Sequence, residues 1–199
     1  MARNKTGRKP KNFGEAVGIR NIFESETTDF FLGLVLLALS IYMVIAMVSY
    51  FSTGQADQSI LENLRPGEWL NTKQEFTNYC GSVGALLSYY LITVNFGLPS
   101  FLIPAFFVLV ALKLLKAYRV NVWKWFFGMA LVMVWSSVTL AKFLTPLMGE
   151  QVFNPGGNHG VFCVQQLENI IGPPGLTAVL LLVALAFLTY LSAETIEIV

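Results

Sequence analysis

The sequence is poor in charged residues. They make up 13% of its 199 residues, whereas ordinary soluble domains contain about a quarter. The formal net charge is +1, so no global field favours nucleic acid or an acidic substrate. Hydrophobic residues reach 55%. This composition excludes an ordinary soluble globular domain.

Cysteine and histidine are also scarce. Cys80 and Cys163 are too few for a disulfide framework and lack metal-ligand spacing; two small buried residues are favoured over a bridge between them. The single histidine, His159, is interpreted as a loop or cap residue rather than a metal ligand. No Ser/His/Asp or Cys/His constellation can be assembled. We therefore predict no catalytic residue, cofactor site or metal site, and no contact with nucleic acid.

Long runs without charge dominate what is present. The first run, 30–51, is long enough to cross a hydrocarbon core of about 30 Å at about 1.5 Å per residue. We expect an all-α integral membrane domain over 29–195. Its four predicted transmembrane helices lie at about 30–51, 99–115, 122–141 and 176–192. A basic tail and an amphipathic interfacial helix precede it at 1–28, and 196–199 begin a cytoplasmic continuation.

The distribution of lysine and arginine predicts the orientation. Only Arg65, Lys73 and Lys142 lie on one side of the predicted spans. The other side carries Arg3, Lys5, Arg8, Lys9, Lys11, Arg20, Lys113, Lys116, Arg119 and Lys124. Positive residues accumulate on the cytoplasmic side, so both termini and the middle loop are predicted to be cytoplasmic.

The two halves of the chain share a pattern. Each has a Gly-x-x-Gly helix, a Gly/Pro break and a following span, with one residue fewer between Leu167 and the second break. The matching positions are Gly81, Gly84, Gly97 and Pro99 in the first half and Gly157, Gly160, Gly172 and Pro174 in the second; Pro104 follows the first break. Since both units start inside, they form two parallel repeats. Each Gly-x-x-Gly helix is expected near the outer leaflet, where glycine permits close packing.

Polar residues on the second Gly-x-x-Gly helix leave an alternative open. Glu168, with Gln165 and His159, forms a possible polar site, because an acidic group at membrane depth is a functional candidate. Broken helices at matching positions can also mark a substrate site. A packing corner is the favoured interpretation, and a small membrane transporter or channel is the alternative. Asn95 is expected to cap backbone groups freed at the first break.

The residues of both breaks resemble a known family. The stretches GSVGALL from Gly81, FGLPSFLIP from Phe96 and IGPPGL from Ile171 are similar to the N-terminal four-transmembrane domain of FtsK/SpoIIIE DNA translocases. The resemblance covers about 28–195. The predicted loop 53–78 carries no signature of that family.

The resemblance implies a membrane anchor and oligomerisation module at the division septum of the bacterial inner membrane. It also implies the lipid bilayer, further copies of the chain and division-machinery proteins as partners, with hexamers formed through a motor. No Gly-x-x-x-x-Gly-Lys-Ser/Thr motif occurs in the chain, so ATP and Mg are expected only in a motor domain outside it. We accordingly predict that this chain is not an enzyme, and that a longer reading frame reaches such a motif.

Overall fold

The computed structural model describes residues 26–65, 67–68, 75–148 and 153–198, with side chains as far as Ser192. The predicted basic tail and most of the interfacial helix at 1–28 therefore lie outside the described residues. The first described residues, from Glu26 onward, already belong to a helix.

The described residues fold entirely as helices and connections, with no strand among them. The helices are α1 (Glu26–Glu62), α2 (Gly81–Ser88), a π-helix (Tyr89–Phe96), a 3-10 turn (Leu98–Phe101), α3 (Leu102–Leu114), α4 (Val122–Phe143), α5 (Thr145–Met148) and α6 (Gly157–Ile198). The π-helix continues α2 without a gap. Asn121 begins α4 as an N-cap, its Oδ1 accepting from the N–H of Lys124 at 3.3 Å.

Three helices are long and apolar enough to cross a membrane: Glu26–Glu62, Val122–Phe143 and Gly157–Ser192. This agrees with the expected all-helical membrane protein. The second predicted span, 99–115, corresponds to the shorter apolar helix Leu98–Leu114, which is about 25 Å long. Length and hydropathy therefore give three candidate crossings among the described residues.

Helix α1 continues beyond the predicted span 30–51. It runs to Glu62, so the first part of the predicted loop 53–78 is helical. Its polar residues stay in the helix because one face remains packed: Thr53 and Asp57 are both buried. The 37 residues of α1 extend about 55 Å, roughly 25 Å more than a hydrocarbon core.

Both Gly/Pro sequences interrupt a helix. Gly97 has φ 72° and ψ −141°, and Gly172 has φ 74° and ψ 163°. These values lie in a region that favours glycine, because it has no Cβ. The prolines that follow lack the N–H that an unbroken helix would use. Helix α6 is therefore kinked at Gly172, while the chain turns at Gly97.

Packing joins the helices within each half and then the halves to each other. Helix α1 packs along α3 and against α2, and α4 packs along α6. The larger buried cluster contains Met47, Tyr50, Leu61, Ala85 and Ile92. The smaller one contains Val138, Leu176 and Leu180, between α4 and α6. The π-helix contacts α6 and so connects the two halves.

Candidate functional site

The two halves meet backbone to backbone at a contact that we call the internal join. It places Asn95, Phe96 and Gly97 against Pro155, Gly157 and His159. A Cβ built on Gly97 would lie 2.1 Å from the carbonyl oxygen of Pro155, and one on Gly157 would lie 2.0 Å from that of Asn95. Real Cβ atoms do not approach oxygen so closely, so both positions require glycine.

Polar and aromatic contacts secure the internal join. The N–H of Leu98 donates to the carbonyl oxygen of Pro155 at 2.8 Å. The rings of Phe96 and His159 have centroids 4.7 Å apart. Asn95 donates from Nδ2 to the carbonyl oxygen of Tyr90 at 2.8 Å, so its side chain binds a backbone carbonyl in the turn before the break.

His159 lies in a packed position at the start of α6. Its Nδ1 is 3.5 Å from Ser137 Oγ, and its Nε2 is 3.6 Å from Cys163 Sγ. Ser137 Oγ donates to the carbonyl oxygen of Gly156 at 2.6 Å. These neighbours make His159 a packing residue. Cys80 and Cys163 are both free thiols.

Glu168 forms an ion pair that sequence spacing did not reveal. Lys142 Nζ, near the end of α4, donates to Glu168 Oε1 on α6. The side chain of Lys142 is only 9% exposed and that of Glu168 is 28% exposed. Lys142 Nζ also lies 5.6 Å from the centroid of the Phe143 ring. The acidic group thus neutralises a buried cation between two helices. Gln165 is exposed.

A second buried carboxylate fixes the segment before α2 to α1. Asp57 is fully buried. Its Oδ1 accepts from the N–H of Thr77 at 2.8 Å and from Thr77 Oγ1 at 2.7 Å, and its Oδ2 accepts from the N–H of Asn78 at 3.1 Å. Such charge-assisted bonds are stronger than neutral ones. We call Asp57, Thr77 and Asn78 the carboxylate clamp.

Further hydrogen bonds continue the carboxylate clamp along one face of α1. Ser49 Oγ accepts from the N–H of Tyr79 at 3.0 Å, and Tyr42 donates from its hydroxyl to the carbonyl oxygen of Cys80 at 2.9 Å. Asn78 donates from Nδ2 to the carbonyl oxygen of Ala46 at 3.0 Å. The spacing of these α1 positions follows the helical period, so one face holds the whole entry to α2.

The remaining predicted positions are distributed over both halves. Gly84 is packed on α1, where its Cβ would lie 3.3 Å from that of Ala46. Gly160 is packed on α4, where its Cβ would lie 2.4 Å from the carbonyl oxygen of Ser137. Pro99 and Pro104 are buried at the beginning of the helix that follows the first break. Gly81 and Pro174 are exposed.

The predicted residues do not converge on one reactive centre. The internal join unites Gly97, Gly157 and His159, whereas Glu168 belongs to a separate ion pair. No group of three or more His, Cys, Asp or Glu that could hold a metal occurs in the described parts of the chain. The arrangement can fix helices against one another and satisfy buried polar groups.

Asp57 and Lys142 are the important residues that sequence reasoning missed. The sequence places Asp57 in the predicted loop 53–78, and the signal for its burial is its helical spacing from Tyr42, Ala46, Ser49 and Thr53. The sequence shows Lys142 as one of the three positive residues on the non-cytoplasmic side of the predicted spans. The available signal for the Lys142–Glu168 pair was a lysine at the end of one apolar run and a glutamate without an assigned partner beside the next.

Comparison with known proteins adds one finding. The family described as the 4TM region of DNA translocase FtsK/SpoIIIE matches residues 27–197. No curated protein and no solved structure matches the chain. The matched region contains every described helix except the first residue of α1 and the last of α6.

Proposed function

The chain belongs to the FtsK/SpoIIIE family as a 4TM region of these DNA translocases, which confirms the resemblance seen in the sequence, and from this premise we propose its role. It is the membrane anchor and oligomerisation module of a septal DNA translocase that acts in cell division and chromosome segregation. The translocating motor is a separate domain. The family match over residues 27–197 is the observation that carries this proposal.

The anchor role is supported by where the apolar surface lies. The long helices expose large apolar side chains on their outer faces; examples are Val35, Phe127 and Leu182, at 65%, 65% and 67% exposure. In water such a surface would be unstable, whereas in lipid it needs no cover. The proposed partner of this surface is the bilayer of the bacterial inner membrane.

The proposed topology has four crossings with both termini in the cytoplasm. Glu26 at the start of α1 pairs with Lys116 just after α3, so α1 begins where α3 ends. If α1 crosses the membrane, the shorter helix Leu98–Leu114 returns the chain to the same side. The short connection to α4 then starts the third crossing there, and the lysine asymmetry places that side in the cytoplasm.

The proposed repeat is supported by backbone conformation. The two Gly-x-x-Gly helices begin at Gly81 and Gly157, with φ of 64° and 68°. The two breaks at Gly97 and Gly172 have φ of 72° and 74°. Positive φ thus recurs at these two matched pairs of glycines. Two parallel units, each with a Gly-x-x-Gly helix near the outer leaflet, account for this pattern.

The ion pair weighs against a transport site at Glu168. A coupling residue in a transporter changes its partners or protonation during the cycle, whereas Glu168 is held by a lysine from the neighbouring helix. The residue on which the transport alternative depended is therefore explained by packing between α4 and α6. The anchor remains the function that the structure supports best.

A localisation experiment tests the proposal. The chain with a fluorescent protein at its N-terminus is expressed in dividing bacteria, and its distribution is followed by microscopy and membrane fractionation. We expect the protein in the membrane fraction, concentrated at mid-cell, and chemical cross-linking in intact membranes should give a ladder above the monomer.

Leu182→Arg and Glu62→Arg provide matched variants for the anchor. The first places a charge on the lipid-facing surface of α6, at an insertion cost of about 3 kcal/mol; the second changes an exposed residue at the end of α1. Only the first should reduce membrane insertion. Uniform membrane fluorescence would contradict the septal role, and cleavage of the 113–124 link by external protease would contradict the topology.

A further inference from the structure

The proposed repeat gives the chain two breaks and two helix starts, and the internal join uses only one of each. Its two sides are the break of the first half, at Gly97, and the start of the second half, at Gly157. Both glycines are buried. The remaining break, at Gly172, and the remaining start, at Gly81, do not meet within the chain. A Cβ on Gly81 would have no atom within 4 Å, and one on Gly172 would meet only Pro174 Cδ, at 3.7 Å.

The residues around these two glycines are exposed and apolar. We call the surface around Gly81 the open start corner; there, Tyr79 is 78% exposed and Val83 is 46% exposed. We call the surface around Gly172 the open break corner; there, Ile170 is 76% exposed and Ile171 is 44% exposed. In the repeat register, Val83 matches His159 and Ile171 matches Phe96. The pair Phe96–His159 is in contact across the internal join.

We infer that a second copy of this chain covers these corners: the open break corner of one copy packs against the open start corner of the next, in the manner of the internal join. The inference rests on the proposed oligomerisation and names its surface. A contact between two different patches is heterologous, so it leaves a free patch at each end and continues from copy to copy. Such a contact generates a ring when its rotation closes.

One difference from the internal join follows from the sequence. In the internal join, Leu98 donates its N–H to the carbonyl oxygen of Pro155. The residue that matches Leu98 in the repeat register is Pro173, and proline has no N–H to donate. The contact between copies is therefore made by apolar packing of Ile170 and Ile171 on Tyr79 and Val83. Glycine at both corners permits the close backbone approach on which helix packing in membranes depends.

Cysteine cross-linking in membranes tests this contact. The background is the full chain with Cys80→Ala and Cys163→Ala, and a short bifunctional thiol reagent is added to membranes. Val83→Cys co-expressed with Ile171→Cys should give a dimer band, while each variant alone should remain monomeric. The double variant carrying both substitutions should give a ladder, because each copy then offers both sides of the contact.

Two control pairs calibrate the result. Phe96→Cys with His159→Cys in one chain should give a faster-migrating monomer, since that pair meets inside the chain. Val83→Cys with Leu182→Cys, a lipid-facing position that is more exposed than Ile171, should give no dimer. Dimers from Val83→Cys alone would indicate a two-fold contact between start corners and would overturn the inference.

A second measurement separates this inference from the proposed function. Lysine-reactive cross-linking of the unmodified chain reports oligomers whatever surface they use. Lysine-linked oligomers without a dimer between Val83→Cys and Ile171→Cys would overturn the corner contact and leave oligomerisation standing. A monomeric chain in both assays would overturn both. Loss of lysine-linked oligomers in Ile171→Trp, with Val179→Trp unaffected, would support the corner contact.

Discussion

The two halves of the molecule hold their Gly-x-x-Gly helices by different means. In the first half, the carboxylate clamp and neighbouring hydroxyl groups tie the entry of α2 to α1. In the second half, Gly156 and Gly160 lie directly on the backbone of α4 at Ser137. The first half thus depends on hydrogen bonds to a buried charge, and the second depends on the absence of side chains.

This difference extends to burial. The first half encloses the larger buried cluster around Tyr50 and Ile92, whereas α6 is the most exposed of the three long helices. A helix that contributes little to the core of its own chain presents most of its surface to lipid or to another protein. The first half therefore supplies most of the buried core of the chain, whereas α6 supplies most of the surface that faces its surroundings.

The largest effect is expected at the internal join. Gly157→Ala and Gly81→Ala both place a Cβ at positive φ, at a cost of about 1 kcal/mol. Only Gly157 also faces a backbone oxygen, 2.0 Å from its Cβ, which adds about 3 kcal/mol because the halves must separate. Denaturation of the monomeric chain in detergent measures both. Equal losses would show that the halves are not joined here.

A smaller effect is expected when the ion pair of the second half is broken. Lys142→Met or Glu168→Met alone leaves a poorly solvated group without its partner, at a cost of about 3 kcal/mol. The double variant Lys142→Met/Glu168→Met replaces the pair by apolar contact and should lie within about 1 kcal/mol of the original. A double-mutant cycle of unfolding free energies checks this. Additive losses would mean that the two groups act independently.

The carboxylate clamp of the first half gives the next prediction. Asp57→Ala removes the acceptor of two backbone N–H groups and one hydroxyl and should destabilise the chain by about 2 kcal/mol. Glu62→Ala removes an exposed carboxylate from the same helix and is the matched control, with a loss below about 0.5 kcal/mol. Thermal unfolding in detergent compares them. A similar small loss in both variants would exclude a structural role for the clamp.

The smallest effect is expected at the exposed ion pair between Glu26, at the start of α1, and Lys116, just after α3. Hydrogen bonding and the charge of Lys116 lower the pKa of Glu26 from its ordinary value of 4.5. A lowered pKa means that the pair stabilises the folded chain above that value and loses its effect as the pH falls through the lowered pKa. Glu26→Gln should remove this part of the pH dependence. Because both groups are exposed, the difference should also disappear in high salt.

Sequence reasoning located the helix breaks because their chemistry is local. A glycine followed within two residues by proline ends or kinks a helix through its own backbone chemistry, so Gly97 and Gly172 could be recognised without knowing their neighbours. The apolar runs likewise predicted an all-helical membrane protein. The family resemblance followed from the same Gly/Pro positions.

Contacts between distant residues could not be predicted in this way. Asp57 and Thr77 are brought together only because the chain returns along α1 after the loop. Lys142 and Glu168 meet only because α4 and α6 run side by side. The extension of α1 to Glu62 was missed for a related reason: its polar residues looked solvated, and their burial depends on a segment that arrives later in the chain.

The π-helix Tyr89–Phe96 gives the one-residue mismatch between the halves a physical meaning. A π-turn accommodates an additional residue without ending the helix. The first half has that additional residue before its break, and the second half, which is α-helical up to Gly172, does not. In the proposed repeat, the wider turns of the π-helix take up the one residue by which the first half is longer, so the breaks at Gly97 and Gly172 keep equivalent positions.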